Sequence, residues 1–247
     1  MIPKQQVKFI NSLQYKKYRK KAQAFLIEGE KCVEELLNSD FETLILAGTT
    51  EYLSQHRERF KDYKGTTYEV TEKILQQSGS LKTNNRVLAV AKMKEEQLFT
   101  IGNEYVLAID DLQDPGNLGT IIRIADWYGI TKILASENTV NFYNPKVIHA
   151  TMGSFTRVKV HYCDLSLFLD GRSSIKKYGA FLNGENVHTI KMSVPAIIVI
   201  GNEANGISSE ISNLIDQRIH IPKIGCAESL NAAIATAIIC DNMFRDF

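Results

Sequence analysis

Three polar segments of this sequence each begin where an apolar stretch ends. The segment "DDLQDPGNLGTIIR" follows "YVLAI", "GNEANGIS" follows "PAIIVI", and "PKIGCAESLN" follows "RIHI". They supply amides, carboxylates, a hydroxyl and a guanidinium, which are groups that can orient a substrate through hydrogen bonds. In open α/β sheets, ligands bind outside the carboxyl ends of the strands. The pattern therefore predicts a polar site at the mouth of a parallel sheet.

Each segment also admits a structural interpretation. Asn117 and Ser229 are suited to cap the helices that follow them. Arg123 lies off the apolar stripe of its helix, where an arginine is usually only solvated. Gly201 either allows close approach to a ligand or simply ends a strand. Asn231 is less easily explained, because an asparagine in a first helical turn competes with the backbone.

The elements that must position these residues alternate between strands and helices. Apolar runs such as "AFLIEG", "TLILAG", "YVLAID" and "PAIIVIGNE" predict strands, and the segments between them carry helical spacing. This alternation predicts an α/β fold with a parallel sheet. The charged stretch "KMKEEQLFTIGNE" has no clear period, so we predict two domains, residues 1–97 and residues 104–247.

Composition and charge distribution narrow the function classes. Residues 1–31 carry eight Lys or Arg and two Glu, a net charge of +6, and the remainder carries −5. This asymmetry indicates an N-terminal region that binds a polyanion. The four cysteines form no CxxC motif, which indicates reduced thiols and no metal site. The N-terminus has no apolar leader and no run is long enough to span a membrane, so we expect a cytoplasmic protein.

Taken together, the three segments resemble the motifs of the SpoU (TrmH) family of RNA ribose 2′-O-methyltransferases, in the SPOUT superfamily. Order and spacing agree across the C-terminal half, and "NPKVIHATMGSF" resembles the family's stretch between the first two motifs. The matching positions are Asn117, Gly119, Arg123, Ala125, Gly129, Gly201, Glu203, Gly206, Ile221, Pro222, Gly225, Ser229, Leu230 and Asn231. The N-terminal "KYRKKAQAFLIEGEKCVEELL" more faintly resembles the family's small RNA-binding domain.

The resemblance implies a fold and a set of site residues. The C-terminal domain should be a SPOUT-type α/β sheet with a deep trefoil knot, and the N-terminal domain should be L30e-like. The cofactor should be S-adenosylmethionine, and the enzyme should be a homodimer. The residues implied to bind the cofactor are Leu182, Asn183, Gly184, Ile200, Gly201, Asn202, Gly206, Ile221, Pro222 and Leu230. Those implied to act in catalysis are Arg123, Asn117, Glu203, Ser229 and Asn231.

The chemistry of these residues fits methyl transfer to a ribose hydroxyl, which needs positioning and a more nucleophilic oxygen. A guanidinium is a poor base, so we expect Arg123 to hold the phosphate and the hydroxyl through its fork of donors. The favoured substrate is ribosomal RNA, with transfer RNA as the alternative. A non-catalytic RNA-binding homologue is a further alternative, and a Rossmann-type enzyme is disfavoured because its glycine fingerprint is missing.

Val7, Ile10 and Leu13 have helical spacing and predict a first helix, and the basic cluster at the end of this helix is the predicted RNA-binding surface. Its members are Lys16, Lys17, Arg19, Lys20 and Lys21. Tyr15 and Tyr18 interleave with these cations and could stack on unpaired bases.

Overall fold

The computed structural model describes residues 2–60, 63–81, 84, 86–96 and 98–245. Met1, Gln97 and Phe247, which bound the predicted domains, lie outside the described residues. The chain forms two compact units. Unit 1 comprises Met1–Glu95 and Asn141–Thr156, and unit 2 comprises Glu96–Val140 and Arg157–Phe247. Each unit combines a sheet with helices, so the predicted α/β class is confirmed.

Unit 1 contains a four-stranded sheet in the order β1-β4-β2-β3. Its strands are β1 (Ala24–Glu28), β2 (Thr43–Gly48), β3 (Thr66–Glu69) and β4 (Val87–Lys92). β4 is antiparallel to both β1 and β2, whereas β2 and β3 are parallel. β1, β2 and β4 coincide with apolar runs of the sequence, because their side chains form the buried centre of this unit, whereas the residues of β3 are mostly exposed.

The helices of unit 1 differ from the prediction at the N-terminus. They are α1 (Lys4–Ser12), α2 (Lys16–Ala22), α3 (Glu30–Leu37), α4 (Thr50–Gln55), α5 (Glu72–Ser78) and α7 (Pro145–Ala150), with 3₁₀ turns at Arg57–Phe60 and Ser154–Thr156. The single first helix that the sequence predicted is broken after Ser12. The carbonyls of Leu13 and Gln14 accept hydrogen bonds from the Arg19 side chain instead of continuing the helix. The basic cluster therefore lies on a helix of its own, α2.

Unit 2 contains a six-stranded sheet in which every neighbouring pair is parallel. Its strands are β5 (Tyr105–Ile109), β6 (Lys132–Ser136), β7 (Lys159–Cys163), β8 (Lys176–Asn186), β9 (Ala196–Ile200) and β10 (Gln217–His220), in the order β10-β8-β9-β5-β6-β7. β5 and β9 are wholly buried, as continuous apolar runs in parallel sheets usually are. The carboxyl ends of all six strands therefore lie along one edge.

The helices of unit 2 are α6 (Pro115–Trp127), α8 (Leu165–Asp170), α9 (Ser209–Ser212) and α10 (Ala232–Met243). The sequence predicted α6 and α10 but neither α8 nor α9, which are too short to establish a helical period. In the described part of the chain, no helix is both long and apolar enough to span a membrane.

The segment Asn141–Thr156 is part of the core of unit 1, although it lies between β6 and β7 in the sequence. The ring centroid of Phe25 on β1 lies 4.6 Å from that of Tyr143 and 6.1 Å from that of Phe155. Phe41 lies 5.8 Å from Phe155, and Phe155 is itself buried. Unit 1 is therefore assembled from two separate stretches of chain.

Candidate active site

Asp114 and Pro115 build the N-terminus of α6. Oδ1 of Asp114 accepts a hydrogen bond of 2.8 Å from the backbone N–H of Asn117. Pro115 occupies the first turn, where its missing N–H costs nothing. The prediction that Asn117 caps this helix is therefore wrong, because Asp114 takes that position. The Asn117 side chain is left free for contacts with distant segments.

Asn117 joins the three polar segments that the sequence singled out. Its Nδ2 donates to Oε1 of Glu203 at 2.9 Å, and its Oδ1 accepts from Nδ2 of Asn231 at 2.8 Å. An amide offers a donor and an acceptor on one planar group, so it can connect a carboxylate to a second amide. This Asn117–Glu203–Asn231 network is the centre of the candidate active site.

Glu203 is held by backbone as well as by Asn117. Its carboxylate accepts from the N–H groups of Asp114 at 3.3 Å and Gln113 at 3.5 Å. Burial raises the pKa of the Glu203 carboxyl. The hydrogen bonds from Asn117, from its own backbone and from Asp114 and Gln113 more than offset burial, so the net pKa lies below the ordinary value. Glu203 is therefore an ionised acceptor that fixes the first turn of α6, and not a proton donor.

The lowered pKa of Glu203 leads to a prediction about pH. A depressed pKa in the folded state stabilises the fold above the ordinary glutamate value of 4.5, and this contribution disappears as the pH falls through the folded pKa. We expect Glu203→Gln to lower the free energy of unfolding near neutral pH and to have little effect in acid. Denaturant unfolding across a pH series measures this difference. Glu137→Gln, at an exposed position of unit 2, is the control. A Glu203→Gln effect independent of pH would contradict the assignment.

Asn231 is the N-cap of α10, which corrects two expectations. Its Oδ1 accepts from the N–H of Ala233 at 2.9 Å and of Ile234 at 3.3 Å. Asn231 therefore precedes the first turn and does not lie inside it, and Ser229 does not cap the helix. Ser229 is exposed and forms no hydrogen bond with any described residue. One amide thus holds α10 through its oxygen and Asn117 through its nitrogen.

Arg123 lies on α6 but outside the hydrogen-bonded network. Six residues separate it from Asn117, a rise of about 9 Å along a helix. The side chain is exposed and forms no hydrogen bond or ion pair within the described residues. The guanidinium therefore keeps all its donors available to a ligand.

A bulge within β8 carries three of the predicted cofactor residues. Arg218 on β10 pairs with Gly179, but the next residue, Ile219, pairs with Glu185. The intervening residues 180–184 leave the ladder, so Leu182, Asn183 and Gly184 stand exposed at the sheet edge. A Cβ on Gly184 would lie 2.5 Å from the Arg218 carbonyl oxygen, so only glycine fits this turn.

The loop after β9 is closed on itself by Asn202 and Gly206, whose backbones exchange hydrogen bonds of 2.9 and 3.0 Å. A Cβ on Gly201 would lie 2.2 Å from the carbonyl carbon of Gly206, so glycine is required there for close backbone packing. The side-chain Oδ1 of Asn202 accepts hydrogen bonds from the backbone N–H of Ala204 and of Asn205. Asn202 shapes this loop with its side chain, and Ile200 is buried in the strand before it.

The loop after β10 runs from Ile221 to the Asn231 cap. Every residue from Pro222 to Leu230 is exposed, and the Ile224 side chain is fully so. Leu182 in the bulge of β8 is also largely exposed. Apolar side chains that neighbouring strand-end loops leave uncovered are suited to bind a ligand with an apolar face.

Comparison with known proteins decides the family. A model of the SpoU rRNA methylase family matches residues 104–241, and a model of the MRM3-like substrate binding domain matches residues 4–89. The chain belongs to the SpoU rRNA methylase family.

Relatives of this SpoU methylase match almost its whole length. It is 33% identical to the 23S rRNA (guanosine(2553)-2′-O)-methyltransferase RlmP of Bacillus subtilis, over 95% of this chain and 94% of that protein. It is 28% identical to the 23S rRNA (uridine(2479)-2′-O)-methyltransferase of Streptomyces viridochromogenes, over 90% and 83%. The crystal structure of an AdoMet-bound rRNA methyltransferase from Sinorhizobium meliloti superposes with a TM-score of 0.89 at 28% identity, over 100% and 97%.

Two positioning residues of this SpoU methylase escaped the sequence reasoning. Asp110 is buried at the end of β5, and its Oδ2 accepts from the N–H of Ser208 at 2.8 Å. The Asp111 carbonyl accepts from Nδ2 of Asn202 at 2.6 Å, and Asp111 has a positive φ of 55°. Asp110 and Asp111 therefore hold Ser208 and Asn202, which lie on either side of Glu203 in the loop after β9. The signal was present in the sequence, since two acidic residues directly follow a buried strand.

The predicted RNA-binding residues divide into two groups in unit 1. Lys16, Lys17, Lys20 and Lys21 are exposed on α2, and none of them forms an ion pair with a described carboxylate. Arg19 is only 2% exposed, and its guanidinium donates to three acceptors inside the unit. The prediction that Arg19 contacts RNA directly is therefore wrong, because the turn of α2 points this side chain inward.

Metal binding by clustered side chains is not found in the described residues. They contain no group of three or more His, Cys, Asp or Glu that could hold an ion. The four cysteines are unpaired, and only Cys226 is exposed.

Proposed function

We propose that this SpoU family member transfers a methyl group from S-adenosylmethionine to a ribose 2′-hydroxyl of ribosomal RNA. Residues 104–247 are the catalytic domain in this proposal, and residues 1–97 bind the RNA. The observation that carries it is the Asn117–Glu203–Asn231 network, which joins the segments that follow β5, β9 and β10. The site residues keep the roles that the family resemblance implies.

Ribosomal RNA is favoured over transfer RNA because the full-length relatives are named for 23S rRNA. Those two relatives are named for different nucleosides, guanosine and uridine, so their names do not indicate which nucleoside this chain methylates. A ribose hydroxyl is common to all nucleotides, which suits a site that recognises the sugar and its phosphate. A transfer-RNA substrate is the alternative outcome of the experiment below.

The bulge of β8 and the loops after β9 and β10 fit S-adenosylmethionine. Gly201 and Gly184 allow backbone to approach a ligand where a Cβ would collide with the chain. Leu182, Ile224 and Leu230 offer exposed apolar side chains for an adenine ring. The bound cofactor would supply an electrophilic methyl group on a sulfonium.

The chain's own residues must then prepare the hydroxyl. We assign Arg123 to hold the adjoining phosphate and the 2′-oxygen, because its donors are unoccupied and its planar fork suits both. A cationic donor lowers the pKa of the hydroxyl and stabilises the developing charge on its oxygen. Transfer would form the bond between the 2′-oxygen and the methyl carbon, release the demethylated cofactor as a neutral thioether, and pass the hydroxyl proton to solvent. Ser229, exposed beside the Asn231 cap, is assigned to the ribose.

Mapping of 2′-O-methyl sites in RNA tests the proposal. RNA from cells with and without this gene should differ at one ribosomal position, and purified protein with labelled cofactor should restore it. Calorimetry with S-adenosylmethionine and its demethylated product should show binding of both. A lost site in transfer RNA would support the alternative substrate. Cofactor binding without methyl transfer to any RNA would identify a non-catalytic homologue.

A homodimer in the cytoplasm is part of the proposal, as are the trefoil knot and the L30e-like fold implied by the resemblance. The dimer surface that we assign is the exposed side of α6 and α10, which pack on each other. Trp127 on α6 is 84% exposed, and Ile234 on α10 is also exposed. Large apolar side chains left uncovered on adjacent helices are typical of a protein–protein interface.

The single tryptophan of the chain makes this dimer measurable. We expect Trp127→Glu to give a monomer, because a buried carboxylate without a partner opposes association. Sedimentation should separate it from the wild type, whose tryptophan emission should shift to the red on dilution. Leu167→Glu, at another exposed apolar position, should stay dimeric. A monomeric wild type would contradict the assignment.

A further inference from the structure

Arg19 is a buried cation that the proposed reaction does not use. Its guanidinium donates through Nη1 to the carbonyls of Leu13 and Gln14, at 3.1 and 2.9 Å, and through Nη2 to Oδ1 of Asn141, at 3.1 Å. Among the described residues, its Nε has no hydrogen-bond partner and the guanidinium forms no ion pair with a carboxylate. Burial lowers the pKa of this guanidinium. Burying a charge without a counter-ion costs free energy, which the three hydrogen bonds of Arg19 offset only in part. We therefore ask what these three contacts hold in place.

The contacts of Arg19 fix the corner between α1 and α2. Leu13 and Gln14 form this corner, and Tyr15 follows directly as the N-cap of α2. A second tie comes from Gln14, whose Nε2 donates to the carbonyl of Gly79 at 3.0 Å. The residues just before α2 are therefore held by the hydrogen bonds of Arg19 and by that of Gln14.

Tyr15 and Tyr18 stand on the outer side of this fixed corner. They are 65% and 45% exposed, and their rings meet edge to face with centroids 6.3 Å apart. The exposed lysines Lys16, Lys17, Lys20 and Lys21 lie on the same short helix, and α2 contains no acidic residue. Exposed aromatic rings among unpaired cations match RNA with unstacked bases, whose faces stack on the rings while the phosphates meet the lysines.

We propose that Arg19 is a positioning residue for RNA binding, which holds Tyr15 and Tyr18 in place for an unpaired segment of the RNA substrate. The proposal rests on the proposed RNA-binding role of residues 1–97. Asn141 is part of the same device, because it accepts the hydrogen bond from Nη2. Arg19 itself does not touch the RNA.

The experiment uses the full-length protein and a labelled single-stranded oligoribonucleotide, with binding followed by fluorescence anisotropy. We expect Asn141→Ala to lower affinity several-fold with an unchanged salt slope, since every lysine keeps its charge. Asn141→Asp should retain most of the affinity, because a carboxylate still accepts from Arg19. Arg19→Lys should lower affinity although it conserves charge, because the fork of donors is lost.

A double-mutant cycle separates positioning from a general effect on folding. In a Tyr15→Ala, Tyr18→Ala background, Asn141→Ala should have little further effect, because the side chains it positions are gone. Additive losses in the cycle would overturn the proposal, as would full affinity of Asn141→Ala. Cofactor affinity and thermal stability of Asn141→Ala check that the fold is intact. If replacement of the four lysines also leaves affinity unchanged, the RNA-binding role of this surface itself fails.

Discussion

Arg123→Ala is expected to lower the rate of methyl transfer by at least about 10²–10³-fold, the usual cost of removing one donor that stabilises developing charge. The expectation follows from the position of Arg123 on α6, exposed and without a partner among the described residues. Folding and cofactor affinity should not change, since the exposed side chain makes no hydrogen bond or ion pair with the described residues. Single-turnover assays with labelled cofactor measure the rate, and calorimetry measures cofactor affinity.

Two further variants sharpen this test. Arg123→Lys keeps the charge but loses the planar fork, so it should recover little activity if phosphate and hydroxyl are held together. Arg245→Ala removes an exposed arginine that pairs with Asp241, and it should be fully active. Near-normal turnover of Arg123→Ala would mean that Arg123 is a surface residue without a role in the reaction.

Replacing Lys16, Lys17, Lys20 and Lys21 with alanine is expected to weaken RNA binding roughly 10²–10³-fold at about 0.1 M salt, if each lysine contacts one phosphate. Each lost contact should also flatten the dependence of log K on log salt by up to about one unit. Cofactor affinity should be unchanged, because these lysines lie in unit 1 and the predicted cofactor residues in unit 2.

A matched variant controls for net charge. Lys4, Lys8, Lys64 and Lys73 are four other exposed lysines of unit 1, and their replacement removes the same charge from other positions. We expect a much smaller loss of affinity and a nearly parallel salt slope. Equal behaviour of the two variants would show that RNA responds to overall charge and not to the α2 surface.

Strands and long helices could be predicted because burial imposes a pattern on their residues. β5 and β9 appear as unbroken apolar runs, and α6 and α10 carry apolar stripes or runs long enough to count. α8 and α9 have six and four residues, which is too few for a period. The break between α1 and α2 was missed because it depends on Arg19, whose acceptors are set by tertiary packing.

The site was predictable in its residue types but not in its bonding. Sequence pointed to Asn117, Glu203 and Asn231 as polar residues at strand ends, yet it assigned the helix caps to the wrong side chains. Asp114, Asn117, Ser229 and Asn231 are all chemically able to cap a helix, and only the local backbone path decides between them. The inward direction of Arg19 was equally hidden, since a run of basic residues gives no sign of which one is buried.

The Asn141–Thr156 segment limits how this protein can be truncated or recombined with another. A fragment ending near residue 97 would lack Tyr143 and Phe155, so Phe25 and Phe41 would face water. The N-terminal half of the chain therefore cannot be excised with its core intact. A chimera that takes unit 1 from another enzyme must take the corresponding mid-chain segment as well, because both stretches of chain form the aromatic core of this unit.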